Sequence, residues 1–177
     1  MNARILIVGL APGLKGANRT SRPFTGDYAG DLLYATLAKS GWTSGKFVAW
    51  RDDGVWSPDT LTLKDVRIPN AVRCLPPQNK PEPSEIHACR QFLLSELGSL
   101  SKVKVLFALG KIAHDSTLKA LDARIAAYPF KHGGIYEIGK YKLVSSYHCS
   151  RYNTNTGVLT QKMFEDAVAK AKKAAEI

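Results

Sequence analysis

Ile5-Leu6-Ile7-Val8-Gly9-Leu10-Ala11-Pro12-Gly13 decides the architecture. Its apolar run, Ile5 to Leu10, leaves no polar face, which is the pattern of a central strand covered on both sides. Ala11-Pro12-Gly13 then breaks the strand and delivers a loop at its carboxyl end. Working outward, a second strand is expected at Val66 to Val72 and a third from Val103 to Leu109, ending at Gly110. Helices alternate with them. Leu33 and Leu37 recur at helical spacing after Asp31 and Gly41 closes that helix, while Pro83 and Ser84 open another that runs through Phe92, Leu93 and Leu97 to Gly98. A further helix is expected near Ile112 to Leu121 and a last one from Leu159 to Ala175. Ile135 to Ile138 and Tyr141 to Ser145 flank Gly139-Lys140 as a short hairpin. The pattern predicts an α/β fold, a three-layer α/β/α sandwich with a central, mainly parallel sheet, formed by a single domain over residues 1–177. No element is assigned to residues 49–65, which hold Trp50 and Trp56 among polar residues. In such sheets ligands bind beyond the carboxyl ends of the strands.

Composition narrows the function. Of 177 residues, 45% are hydrophobic and 23% charged, which excludes a disordered or low-complexity chain. Lys and Arg exceed Asp and Glu by 25 to 15, and the resulting +10 charge points to a polyanionic partner, nucleic acid foremost. A ribosomal-type or membrane-surface protein would give the same sum. No segment approaches the roughly 20 apolar residues of a membrane span, and Met1-Asn2-Ala3-Arg4 lacks a signal-peptide layout, so no membrane partner and a cytoplasmic location are expected. Cys74, Cys89 and Cys149, an odd set, do not make a disulfide framework and read as thiols or metal ligands.

Three loop segments carry the chemistry. The first is Gly9 to Asp27, whose glycines let backbone N–H groups approach an acceptor, although it is neither a Walker loop nor G-x-G-x-x-G. More than a dozen residues without a helix are expected there, a length usually tied to function. The second is Asn70-Ala71-Val72-Arg73-Cys74-Leu75-Pro76-Pro77-Gln78-Asn79-Lys80, and the third runs from His148-Cys149-Ser150-Arg151-Tyr152-Asn153 to Thr160. Together with Gly16 to Asp27 (GANRTSRPFTGD), these phrases make the chain resemble the uracil-DNA glycosylase superfamily, most closely its type-5 branch, over Ile5 to Phe164.

The resemblance implies a monofunctional enzyme that flips uracil out of double- or single-stranded DNA and cuts the base–deoxyribose bond, acting as a monomer. Within that frame Gly9, Ala11 and Gly13 line the base site, and Asn70 matches the uracil edge with one donor and one acceptor. Phe24 stacks on the flipped base or, equally well on sequence alone, anchors the loop in the core. His148 donates to the departing base. Ala11 stands where many relatives carry a water-activating residue, so Asp27 is the acidic group left to orient water or steady the sugar cation, with a helix N-cap as the competing role. Arg151, Tyr152 and Asn153 fall in the family's minor-groove loop, where a side chain wedges into the gap left by the base. Cys74 and Cys89 match two of the four cysteines that hold an iron–sulfur cluster in the type-5 and related branches. The matching N-terminal pair is absent from this sequence, which leaves an incomplete metal site and favours a protein without a cofactor, a [4Fe-4S] cluster being possible only with further ligands. Two other readings stay open: a glycosylase of wider base range that includes hypoxanthine, and an inactive DNA- or uracil-binding protein.

Overall fold

A computed structural model describes residues 2–48 and 60–176. The stretch without an assigned element therefore lies partly outside the described residues. The first run forms strand β1 (Ile5–Val8), all four residues buried. Its side chains split by parity: Ile5 and Ile7 join one hydrophobic layer and Leu6 and Val8 the other. Two-sided burial is what a run with no polar face requires, because successive side chains of a strand point to opposite faces.

Helix α1 (Ala17–Thr20) is one turn, and α2 (Tyr28–Lys39) follows it. A small antiparallel pair, β2 (Thr43–Ser44) with β3 (Thr62–Leu63), precedes β4 (Val66–Arg67). Then come α3 (Pro83–Ser99), β5 (Val105–Leu109), α4 (Lys111–Ala120), β6 (Ile135–Ile138) and β7 (Tyr141–Ser146). The one-turn α5 (Arg151–Asn155) and α6 (Gln161–Ala174) complete the order. The sheet order is β4-β1-β5-β7-β6, parallel except for the antiparallel edge strand β6. Leu33 and Leu37 of α2 and Phe164 and Val168 of α6 cover one face; Leu93 and Leu97 of α3 and Ala113 and Leu118 of α4 cover the other. The three-layer sandwich is thereby in place.

Several expectations change in detail. The strand expected from Val66 to Val72 pairs only through Arg67 and then touches β1 again at a single Gly9–Asn70 bridge. Pro69 has no N–H for a continuous ladder, yet its carbonyl accepts from the Gly9 amide at 2.9 Å. The Ala11–Asp27 loop is not free of helix, since α1 lies within it. Helix α2 starts at Tyr28, ahead of Asp31, because Asp27 caps it. Helix α3 runs through Gly98 to Ser99, and its start is fixed by a reciprocal capping box between Glu82 and Glu85 with Pro83 at the first position. Helix α6 begins two residues after Leu159, at Gln161, behind its cap Thr160.

Candidate functional site

The loops after β1, β4 and β7 converge at the carboxyl ends of the parallel strands. There a cleft of about 450 Å³ is lined by Ala11, Gly13, Gly16, Asp27, Pro76, Asn79 and His148. A larger cavity of about 820 Å³ opens along β4; it shares Pro12 with the cleft and is lined by Asn70, but neither Asp27 nor His148 borders it. Asp27 and His148 thus line the smaller cleft and Asn70 the larger cavity, two adjoining openings that meet at Pro12.

Gly9 is the pivot. A methyl built on it would lie 2.3 Å from Asn70 Oδ1 and 2.8 Å from Phe24 Cε2 and Cζ, so both side chains pack directly on its bare backbone. Asn70 Oδ1 is buried and has no hydrogen-bond partner among the described residues. An unpartnered buried acceptor carries a desolvation cost of roughly 1–3 kcal/mol, which a ligand N–H would relieve.

Phe24 is 7% exposed and belongs to the hydrophobic layer under α2, so it does anchor the loop. It holds φ +55°, a left-handed conformation that costs a residue with a Cβ of order 1 kcal/mol or more and gathers at functional sites. Gly30 permits this, because a methyl there would sit 1.6 Å from the Phe24 carbonyl oxygen. The ring stacks on the His148 imidazole, with centroids 5.9 Å apart and 27° between planes. Asn70, Gly9, Phe24 and His148 thus form one line of contact.

His148 follows β7 in a half-buried position, and its ring nitrogens have no hydrogen-bond partner among the described residues. Burial pushes its imidazole below the ordinary range, and the Asp27 carboxylate offsets part of that shift. The ring is therefore neutral at neutral pH, with one N–H to donate. Asp27 divides its oxygens. Oδ1 accepts from the Gly30 amide at 3.1 Å as the cap of α2, while Oδ2 faces the backbone of the first loop, 3.0 Å from where a methyl on Gly16 would lie.

The third loop is less open than its polar sequence suggests. Ser150 caps α5, and the Asn153 side-chain amide donates to the His148 carbonyl at 2.8 Å, tying the helix to the end of β7. Arg151 and Tyr152 project outward; Tyr152 is 74% exposed, and the Arg151 guanidinium lies 5.6 Å over the Tyr28 ring. Cys149 is fully buried and donates to the Ala29 carbonyl at 3.4 Å, and burial pushes its thiol well up, so it is inert.

Cys74 is exposed, and Cys89 is buried on α3, where its sulfur accepts from the Arg73 amide at 3.4 Å. Among the described residues no three His, Cys, Asp or Glu side chains converge as a metal site. Two thiols fall short of the four that an iron–sulfur cluster takes, so the residues present do not fit that group. Sequence reasoning missed the ion cluster of Glu96 with Arg67 and Arg73 behind Asn70. Its signal was an acidic residue in an apolar stretch, Leu93-Leu94-Ser95-Glu96-Leu97.

These features define a class: a mainly parallel α/β protein whose loops at the strand ends bring together an amide, an aromatic ring, a neutral imidazole and a carboxylate. The family model described as the uracil DNA glycosylase superfamily matches residues 1–172. A type-5 uracil-DNA glycosylase of Thermus thermophilus is 46% identical over 98% of this chain and 76% of its own length. One from Pyrobaculum aerophilum is 37% identical over 97% of this chain and 72% of its own length. A type-4 uracil-DNA glycosylase of Archaeoglobus fulgidus is more distant, 28% identical over 82% of this chain and 65% of its own. The chain belongs to the uracil-DNA glycosylase superfamily.

Proposed function

We propose that this chain is a DNA-repair glycosylase that flips uracil out of DNA and hydrolyses its N-glycosidic bond, leaving an abasic site. The observation that carries the reading is Asn70 Oδ1, buried and without a partner beside Gly9 and Phe24. Uracil offers N3–H to that oxygen and O4 to the amide N–H, whereas cytosine presents the opposite pattern at these two positions. Phe24 stacks on the flipped base, a contact worth roughly 1–3 kcal/mol.

The C1′–N1 bond breaks toward an oxocarbenium-like sugar and a uracil anion. His148, neutral because it is buried, donates to the base oxygen on which that charge grows. Asp27 Oδ2 steadies the sugar cation and orients water, whose hydroxyl bonds to C1′ while its proton balances the departing base. Ala11 and Gly13 let the backbone approach. Arg151 and Tyr152, exposed beside the cleft, fill the gap in the duplex. Asn153 serves by holding His148 in place.

Residues 1–177 act as one domain and as a monomer on uracil-containing DNA, and Cys74 and Cys89 carry no cluster. Incubating the protein with duplex and single-stranded oligonucleotides bearing one uracil tests the reading. Alkali-labile cleavage at the uracil is expected; intact oligonucleotide after prolonged incubation at stoichiometric protein overturns it.

A further inference from the structure

Glu96 is 8% exposed on α3, and its carboxylate receives two guanidinium groups. Arg67 grips it with both Nε and Nη2, the latter at 2.7 Å, and Arg73 reaches Oε1 through Nη2 at 3.0 Å. Arg67 and Arg73 stand three residues to either side of Asn70. A single buried carboxylate therefore holds both shoulders of the segment that presents the base-reading amide. Phe92 packs against the Arg73 guanidinium at 5.1 Å, and the Arg73 amide donates to Cys89 Sγ. Between the two grips, the Ala71 and Val72 amides donate to the Gly9 and Leu10 carbonyls, each at 2.9 Å.

Stability alone is a weak reason for this arrangement. A buried ion pair is often no better for stability than well-packed apolar side chains of the same volume. What a carboxylate adds is direction, because paired charge-assisted hydrogen bonds fix the guanidinium planes and hence the backbone that carries them. We propose that Glu96 is a positioning residue for uracil excision, acting through Arg67 and Arg73 to hold Asn70 in register against Gly9. The hydrogen bonds from Arg67, with the charges of both arginines, hold the Glu96 carboxyl below the usual carboxylate range, so the grip persists into mild acid.

The inference rests on Asn70 reading the base, and the test separates the two claims. Glu96→Gln keeps the size of the side chain and removes its charge. It should lower the single-turnover rate of uracil excision by about 10- to 100-fold, the scale of a misplaced recognition group, while affinity for duplex containing an abasic analogue stays within about twofold. In an Asn70→Ala background the same change should cost less than about twofold, since the two act as one unit. Hydrogen exchange should quicken at Ala71 and Val72 but not in β5. If Glu96→Gln does not fold, Arg73→Gln, which leaves the Arg67 grip in place, enters the same measurements. An unchanged rate, a fully additive loss beside Asn70→Ala, or unchanged exchange at Ala71 and Val72 overturns the proposal. A wild type without excision overturns the functional reading instead, and the exchange measurement still decides whether Glu96 holds the segment.

Discussion

Gly9→Ala isolates the geometry of the base site. Gly9 does not have a positive φ, so alanine is acceptable to the backbone itself. Its amide donates to Pro69 and its carbonyl accepts from Ala71, both at 2.9 Å, and these bonds keep the backbone from yielding. The new methyl would meet Asn70 Oδ1 at 2.3 Å and two Phe24 ring carbons at 2.8 Å. Ordinary C···O contacts begin near 3.3 Å and carbon pairs near 3.5 Å. The oxygen must then retreat by about 1 Å and the ring contact must open by about 0.7 Å. Phe24 is pinned by its left-handed backbone and by Gly30 beneath its carbonyl, so the methyl is pressed toward Asn70, which takes most of the displacement. A displacement of about 1 Å at a recognition group costs about 100-fold in rate. Overpacking adds roughly 1–3 kcal/mol of instability, which for a domain of this size lowers Tm by roughly 2–12 °C. Single-turnover excision from a uracil duplex, measured well below the variant's Tm alongside a melting curve, reads both effects. A folded Gly9→Ala that excises uracil within about twofold of wild type would refute the assignment of Gly9, Phe24 and Asn70 to one site.

Asp27→Asn retains an oxygen to cap α2 and loses the charge facing the cleft, so Tm should hold while excision falls by about 100-fold or more. A variant whose only change is a stability loss near 1 kcal/mol would make Asp27 a cap and nothing else. The pH dependence follows from His148, whose folded pKa burial holds below its unfolded value of about 6.5. Between those two values the unfolded chain binds more protons, so stability is level above pH about 6.5 and falls as pH drops below it. Burial shifts His132 in the same direction, which steepens the fall. The excision rate should stay flat from neutral pH down through about 6.5 and decline only beyond it; a loss centred above that pH would show that the imidazole is not held neutral. Cys74→Ser with Cys89→Ser should leave excision within about twofold and cost about 1 kcal/mol for the Arg73–Cys89 contact. The parent protein should be colourless with only trace iron, and stoichiometric iron by elemental analysis would contradict this.

The sheet was legible because β1 and β5 are apolar on both faces, and a run of that kind and length marks a strand covered by helices on two sides. The extent of β4 was not, because Val66 to Val72 looks continuous until Pro69 is asked for a hydrogen bond. The one-turn helices α1 and α5 sit in glycine- and polar-rich loops where no periodicity can show. Of the two readings of Asp27 the structure shows the cap, made by Oδ1, and leaves Oδ2 turned to the first loop for the proposed role. Asn153 read as a DNA contact by its place in the loop, while its amide faces inward to the His148 carbonyl, a direction that spacing cannot reveal. The Glu96 grip joins three elements through long side chains, and the sequence carries only its faintest mark, a charge among leucines.

The central claim is that the unpartnered oxygen of Asn70 selects uracil. Asn70→Asp is nearly isosteric, but it replaces the amide donor with a carboxylate that cannot donate to O4 and that repels the growing charge on the base. Excision rates for wild type and Asn70→Asp on matched duplexes with a single uracil or a single cytosine test this most directly. Wild type should release uracil and leave cytosine, and Asn70→Asp should lose uracil excision by about 100-fold or more while still binding the duplex. Uracil release by Asn70→Asp at the wild-type rate would contradict the account.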